Sequence, residues 1–258
     1  HLYNTYIMNF NNNTIIIFLL FNLFLFPHYL QEKKHTRPEK LNIYDDDIHV
    51  LNLNDEDTNI QYNYSKIHPI IEKKILKLLP HNYVFLNYSY EIKDTSIYTF
   101  HRDVTSSKSF NNLTYPSYTL IIYFYKGNHL SLCKKSHNTS YIIPQPFIVY
   151  GNKGQCILFD ADLVHASAIS DTTERYCKQF KIAHKYDLKK LNKLNGKWLK
   201  KTGSPRKITT IDKIIRMLSH KYIFLFDIKY IGSLIERKHN NKIINFITKK
   251  LKLNFFYQ

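Results

Sequence analysis

Between residues 82 and 183 the chain is a succession of short runs rich in β-branched and aromatic side chains. They lie at 83–90, 96–101, 118–125, 130–133, 147–150, 155–159, 164–169 and 175–182, and polar or turn-forming residues separate them. Eight runs of strand length with no long helical pattern between them predict an antiparallel sandwich or barrel rather than alternating strand and helix. Ahead of them, IHPIIEKKILKLL at 67–79 sets Ile70, Ile71, Ile75, Leu76, Leu78 and Leu79 at helical spacing, which predicts a packing helix. Residues 32–66 are polar, with little periodicity, and read as a linker. Their acidic run (Asp45, Asp46, Asp47, Asp55, Glu56, Asp57) lacks the Gly and the closing Glu of a calcium loop, so a solvated charge run is the simpler expectation. Beyond residue 187, Lys/Leu/Ile-rich stretches at 188–201 and 208–252 read as basic helices interrupted near Gly203, Ser204 and Pro205.

The N-terminal pattern is different. Residues 2–31 contain no Asp, Glu, Lys or Arg, and 15–26 is apolar apart from Asn22. That run is shorter than the roughly 18 to 20 residues of a confident bilayer span. Extension through Leu30, with Lys33, Lys34, Arg37 and Lys40 behind it, nevertheless suits a membrane-flanking segment. The segment is expected either to associate the chain with a membrane or to pack on the body, and Met8 is a candidate natural start. The resulting organisation is an apolar segment at 1–31, a polar linker at 32–66, a main domain at 67–186 and a basic helical region at 187–258.

Charge sharpens this division. The net formal charge is +17, yet residues 1–180 carry 17 Lys/Arg against 16 Asp/Glu, whereas 181–258 carry 20 against 4. The basic character therefore belongs to the tail, where an anionic membrane surface or a nucleic acid are candidate partners. No recognised nucleic-acid motif accompanies it, and 222–235 is too apolar for an exposed arm, so a helical subdomain with a basic outer face is the first expectation. Cys133, Cys156 and Cys177 are the only cysteines, an odd number without CxxC spacing, which indicates neither a disulfide framework nor a thiolate zinc site.

The candidate chemistry lies in the main domain. In an extended Tyr98-Thr99-Phe100-His101-Arg102-Asp103, His101 and Asp103 point the same way and Arg102 points away. Two such side chains can grip one metal ion, although a strand-end hydrogen-bonded pair would use the same residues. Further on, Asp160-Ala161-Asp162-Leu163-Val164-His165 brings a histidine into the next run, and Arg175 opens the one after. One carboxylate and two imidazoles make the facial set suited to non-haem Fe(II), with three coordination positions left open. An arginine one strand away offers a fork for a distant carboxylate. The alternatives are a surface pairing of Arg175 with Asp171 or Glu174, a plain core role for Tyr98 and Tyr123, and a turn or an orienting role for Asp160 and Asp162. His129, His137 and His184 are assigned to turns or solvent.

On His101, Asp103, His165 and Arg175, the chain resembles the Fe(II)/2-oxoglutarate-dependent oxygenases over roughly 83–186, in particular the phytanoyl-CoA dioxygenase-like and prolyl 4-hydroxylase-like branches. Tyr98 and the strand from Thr119 to Tyr123 are similar to the tyrosine and T-x-x-x-Y strand of the hydroxylase branch, and LSLCKKSH at 130–137 to the G-S-H turn of the phytanoyl branch. The resemblance implies a mainly β fold with flanking helices, built on a double-stranded β-helix (jelly roll, cupin-like) core. It also implies Fe(II) held by His101, Asp103 and His165, with 2-oxoglutarate on the metal and its far carboxylate on Arg175. Tyr98, Tyr123, Thr119 and Cys177 would lie around that co-substrate, with O2 as oxidant and ascorbate as a candidate reductant. The chain departs from the pattern at Cys177, often Ser, at Arg175, usually Lys in the prolyl-hydroxylase branch, and at Lys135, where the turn has Gly.

The implied activity is hydroxylation of an organic substrate, a protein side chain or a small molecule, with release of succinate and carbon dioxide. A catalytically silent jelly roll that holds an anionic partner by its basic tail, and a nucleic-acid demethylase of the same chemistry, are the competing expectations.

Overall fold

The computed structural model describes residues 30–138, 143–169, 175–203 and 208–223. The chain divides into two units, His1–Gln31 and Glu32–Gln258, and the sheets and helices below belong to the second. The apolar run at 15–26 and the tail beyond 223 lie outside the described residues. Among the described residues, no helix is long and apolar enough to cross a membrane.

Two sheets form the body. The larger is built from β2 (Ile48–Asn52), β3 (Tyr83–Phe85), β4 (Tyr88–Lys93), β5 (Tyr118–Tyr123), β8 (Gln155–Asp160), β10 (Tyr176–His184) and β11 (Lys197–Thr202). Its order is β11-β4-β10-β5-β8-β2, and β3 pairs with the far end of β10. The smaller contains β1 (Lys33–Lys34), β6 (Gly127–Leu132), β7 (Phe147–Gly151) and β9 (His165–Ser167), in the order β1-β7-β6-β9. This is the mainly β, jelly-roll-like core that the run pattern and the resemblance lead one to expect.

Alternation along the central strands explains how the sheets stack. In β5, Ile121 and Tyr123 enter the core between the sheets, beside Ile157 and Phe159 of β8 and Leu130, Leu132 and Val149 of the smaller sheet. Leu120 and Ile122 of the same strand face the other way, with Cys156, Leu158, Phe180 and Ile182, and are covered by the helix Pro69–Leu76 through Ile71 and Ile75. Both faces of β5 and β8 are thus buried, which is why these strands read as unbroken apolar runs rather than as alternating ones.

Four sequence expectations are corrected. Residues 32–66 are part of the body. Asn42 caps the helix α1 (Ile43–Asp46) by accepting from the Tyr44 N–H at 3.0 Å, Asn54 caps α2 (Asp55–Asn63) by accepting from the Asp57 N–H at 2.8 Å, and β2 lies between them. Asp45, Asp46, Asp55, Glu56 and Asp57 therefore occupy helix first turns, where the helix dipole favours negative charge, whereas Asp47 is the left-handed C-cap of α1. The helix at 67–79 is present as α3 (Pro69–Leu76). The stretch 188–201 is not helical but runs through a single 3-10 turn into β11, parallel to β4. Gly196 marks the change, with φ +74, a conformation open to glycine. The run 83–90 is two strands, broken where the Tyr88 N–H turns back to the Leu86 carbonyl at 2.7 Å. Residues 96–101 are not a strand, and among the described residues they make one bridge, His101 to His165. Side-chain hydroxyls take the backbone N–H groups there, Ser167 at Ile97 and Ser219 at Phe100.

Candidate metal centre

The bridge at His101 is what assembles the site. The His101 N–H donates to the His165 carbonyl and the His165 N–H to the His101 carbonyl, both at 3.0 Å, which sets the two rings side by side with centroids 4.5 Å apart. The Asp103 N–H is held by the Ala161 carbonyl at 3.1 Å. One donor atom from each of His101, Asp103 and His165 then lies within 4.8 Å of the other two, and all three residues are buried.

Their protonation states follow from their contacts. Nδ1 of His101 lies 2.9 Å from the Thr99 carbonyl and Nδ1 of His165 lies 2.9 Å from the Leu163 carbonyl. A carbonyl only accepts, so each Nδ1 carries the proton and the lone pair of each neutral ring is on Nε2. Burial, with the neighbouring His165 second, pushes His101 down to about 3, and burial also lowers His165. Burial alone would raise Asp103, but the Lys181 ammonium and then the two histidines hold its carboxyl well below the usual range. Two neutral imidazoles and an ionised carboxylate fit a divalent first-row transition ion such as Fe(II).

The carboxylate is itself held. Lys181 Nζ lies 2.7 Å from Asp103 Oδ1, and Gln179 Nε2 donates to the same oxygen at 3.3 Å. The Thr119 hydroxyl donates to Oδ2 and accepts from Lys181 Nζ at 2.9 Å. Oδ2 is also the oxygen nearer His165, 3.9 Å from its Nε2. Lys181 and Thr119 face each other across the β10–β5 ladder, as do Gln179 and Ile121, and Cys177 and Tyr123. Arg175, Cys177, Gln179 and Lys181 thus form one face of one strand edge.

A narrow cleft runs from the histidines along that face to Arg175, lined also by Tyr123, Ile121, Cys177 and Leu130. The Arg175 guanidinium is buried. It donates to the Ala168 carbonyl at 3.3 Å and the His129 carbonyl at 3.1 Å, while its Nε has no hydrogen-bond partner among the described residues. Among the described residues no carboxylate pairs with it; Asp171 and Glu174 lie outside them. His129, assigned to a turn or solvent from the sequence, is buried and stacked 4.1 Å from Tyr123, and burial lowers it to about 4.

The remaining sequence candidates fall as follows. Tyr123 and Cys177 line the cleft, whereas the Thr119 hydroxyl is engaged with Asp103 and Lys181. Tyr98 is half-buried, does not line the cleft, and lends its carbonyl to Arg216 at 2.6 Å. Asp160 and Asp162 build the turn before His165 rather than orienting its ring. Asp160 Oδ1 accepts from the Asp162 N–H at 2.7 Å, and the Asp162 carboxylate accepts from the N–H groups of Ser107 and Lys108, each at 3.1 Å.

Sequence reasoning missed Lys181 and Gln179, although alternation from Arg175 was the signal that would have found them. It also missed the brace on residues 96–101. Helix α4 (Thr210–Lys221) starts at a capping box between Thr209 and Asp212. From it, Arg216 reaches Glu32 Oε2 and the Ser131 hydroxyl at 2.7 and 2.8 Å, and the carbonyls of Tyr98 and Ser167. Its Ser219 hydroxyl takes the Phe100 N–H at 2.8 Å. These contacts join pieces nearly two hundred residues apart, and no local pattern announces them.

No protein-family model matches the chain, and no curated protein matches it in sequence. Solved structures do. The structures it resembles include Fe(II)/2-oxoglutarate-dependent oxygenases. HygX from Streptomyces hygroscopicus, with nickel and 2-oxoglutarate bound, is 11% identical, with 56% of this chain and 84% of that one covered and a TM-score of 0.43. An oxidoreductase of the 2OG-Fe(II) oxygenase family from Burkholderia pseudomallei is 12% identical, with 59% and 95% covered and a TM-score of 0.37. EvdMO1 is 17% identical, with 46% of this chain covered and a TM-score of 0.35, and the match spans 31% of EvdMO1. The chemistry of the present site rests on its own residues.

Proposed function

We propose that this protein is an Fe(II)- and 2-oxoglutarate-dependent dioxygenase that hydroxylates an organic substrate. One observation carries the reading: two neutral imidazoles and a carboxylate converge at one end of a cleft whose other end holds a buried guanidinium without a carboxylate partner among the described residues. A cation site and an anion site in one enclosure suit a metal together with a co-substrate that chelates at one end and is ionised at the other.

In this reading His101 and His165 would supply Nε2 and Asp103 Oδ2 to the iron, and Arg175 would bind the distal carboxylate through its guanidinium. Iron and 2-oxoglutarate would supply the oxidising power, with decarboxylation to succinate. The chain's own work is to orient donors and exclude water. The backbone bridge fixes the spacing of the rings, the Thr99 and Leu163 carbonyls fix their tautomers, and the apolar walls of Ile121 and Leu130 dry the passage between metal and Arg175.

Succinate formation with the purified protein tests the reading. It should require both Fe(II) and 2-oxoglutarate and disappear in His101→Ala and in Asp103→Ala. Full turnover in either variant would refute the assignment. Substrate classes separate by product: formaldehyde released from a methylated nucleic acid would favour a demethylase, and a hydroxylated small molecule or side chain the first reading.

A further inference from the structure

The arrangement around Asp103 carries an inference that rests on the proposed iron site and concerns how that site fills. We propose that Lys181 is a positioning residue that leaves Asp103 a single donor oxygen and makes divalent-metal binding depend on the anionic co-substrate.

The geometry is specific. Lys181 is fully buried, and its Nζ engages Asp103 Oδ1 and the Thr119 hydroxyl. Gln179 takes the same Oδ1, so the oxygen turned away from the histidines has two donors on it. Oδ2, on the His165 side, is the oxygen left facing the donor set, with Thr119 steering it. A carboxylate gripped at one oxygen cannot swing to chelate a metal with both, so Asp103 coordinates through Oδ2.

Charge gives the second half. A site of two neutral histidines and one aspartate would carry one negative charge, which attracts a dication. Here Lys181 cancels it. Arg175 adds a further positive charge in the cleft that the two histidines line, and none of the described residues lining that cleft carries a carboxylate. A bare divalent ion therefore enters a pocket that is already net positive and screened little by solvent, where like charges repel strongly. A dicarboxylate contributes two negative charges, one at the metal and one at Arg175. Metal and co-substrate then bind with positive coupling, and the coupling is reciprocal.

The experiment is a titration of Mn(II), a redox-silent stand-in for Fe(II), followed by electron paramagnetic resonance of the free ion. It is run with and without saturating 2-oxoglutarate on the wild type, Lys181→Met, Lys181→Gln and Lys181→Arg. In the wild type, 2-oxoglutarate should tighten Mn(II) binding by about tenfold or more. Lys181→Met and Lys181→Gln should bind Mn(II) alone more tightly than the wild type and lose most of that enhancement, because the cancelling charge is gone. Lys181→Gln keeps a hydrogen-bond donor near Oδ1 and so separates charge from shape. Lys181→Arg, which keeps the charge, should retain the wild-type dependence. A merely structural lysine would move the melting temperature without moving the ratio of the two affinities.

Equal Mn(II) affinity with and without 2-oxoglutarate in the wild type would overturn the inference without any variant. So would an unchanged ratio in whichever neutral variant folds. Absence of Mn(II) binding by the wild type under both conditions would instead overturn the iron site itself.

Discussion

The two faces of β10 bury lysines three residues apart and use them in opposite ways. On the outer face, Lys178 Nζ donates to the carbonyls of Gln61, Tyr62 and Tyr64 at 3.1, 2.6 and 2.9 Å, at the C-terminal end of α2, with the rings of Tyr62, Phe124 and Tyr176 around it. All three donor positions of the ammonium are met by the fold itself, and cations belong at helix C-termini. On the inner face, Arg175 keeps an Nε with no partner among the described residues, and Lys181 is balanced by a carboxylate that also faces the two imidazoles. The contrast teaches how to tell a structural charge from a functional one. The outer charge is closed by backbone dipoles, whereas the inner charges leave coordinating capacity directed into a cleft.

Substitutions on the two faces should therefore have different signatures. The largest effect is expected for Asp103→Ala. It removes a metal donor and leaves the Lys181 ammonium buried without its carboxylate, so unfolding free energy should fall by about 3–5 kcal/mol. Urea titration of the metal-free protein measures this, and Lys181→Met added to Asp103→Ala should restore much of the loss. Unchanged stability in the single variant would remove the argument that this pair is desolvated.

Arg175→Met should come next. It should weaken 2-oxoglutarate binding by about thirtyfold or more, the cost of removing one partner of a buried charged contact, and leave the metal donors in place. Calorimetric titration of 2-oxoglutarate in the presence of Mn(II) would read it. Lys178→Met should cost about 1–3 kcal/mol through unsatisfied carbonyls at the end of α2, with 2-oxoglutarate binding unchanged. Weakened binding in that variant would erase the distinction between the two faces.

The last comparison is pH dependence, which needs no substitution. His101 and His129 sit at about 3 and about 4 in the folded protein, both lowered first by burial, against 6.5 in the unfolded chain. The unfolded state therefore binds more protons between these limits, so the stability they contribute is present above about 6.5 and is lost as pH falls toward 4 and then 3. The urea midpoint of the metal-free protein should decline over that interval. A midpoint independent of pH from 7 to 4 would show that the two rings are not kept neutral by the fold.

Much of this site was legible because its logic is local. His101 and Asp103 share a direction by simple alternation, and the spacing to His165 and Arg175 places them on separate strands that the run pattern marks. Lys181 was legible in principle, since it lies on the Arg175 face of the same strand, but a lysine in a lysine-rich chain carries no signal by itself. Arg216 and Ser219 were not legible, because their partners Glu32, Tyr98 and Phe100 are chosen by tertiary packing. The misreading of 32–66 has a similar cause. Helices of four and nine residues, each capped by an asparagine, lie on either side of a five-residue edge strand, and none of them is long enough to impose a period. At 188–201, lysine and leucine spacing suggested a helix, and the local glycine conformation and pairing with β4 overrode it.

The central claim is that His101, Asp103, His165 and Arg175 act as one receptor for a ferrous ion and 2-oxoglutarate. Its most direct test is an anaerobic titration of the wild type with Fe(II) in the presence of 2-oxoglutarate, watched for the visible metal-to-ligand charge-transfer band of the chelate. The band should saturate at one iron per chain and be absent from His165→Ala. No band in the wild type, or an equal band in that variant, would contradict the claim.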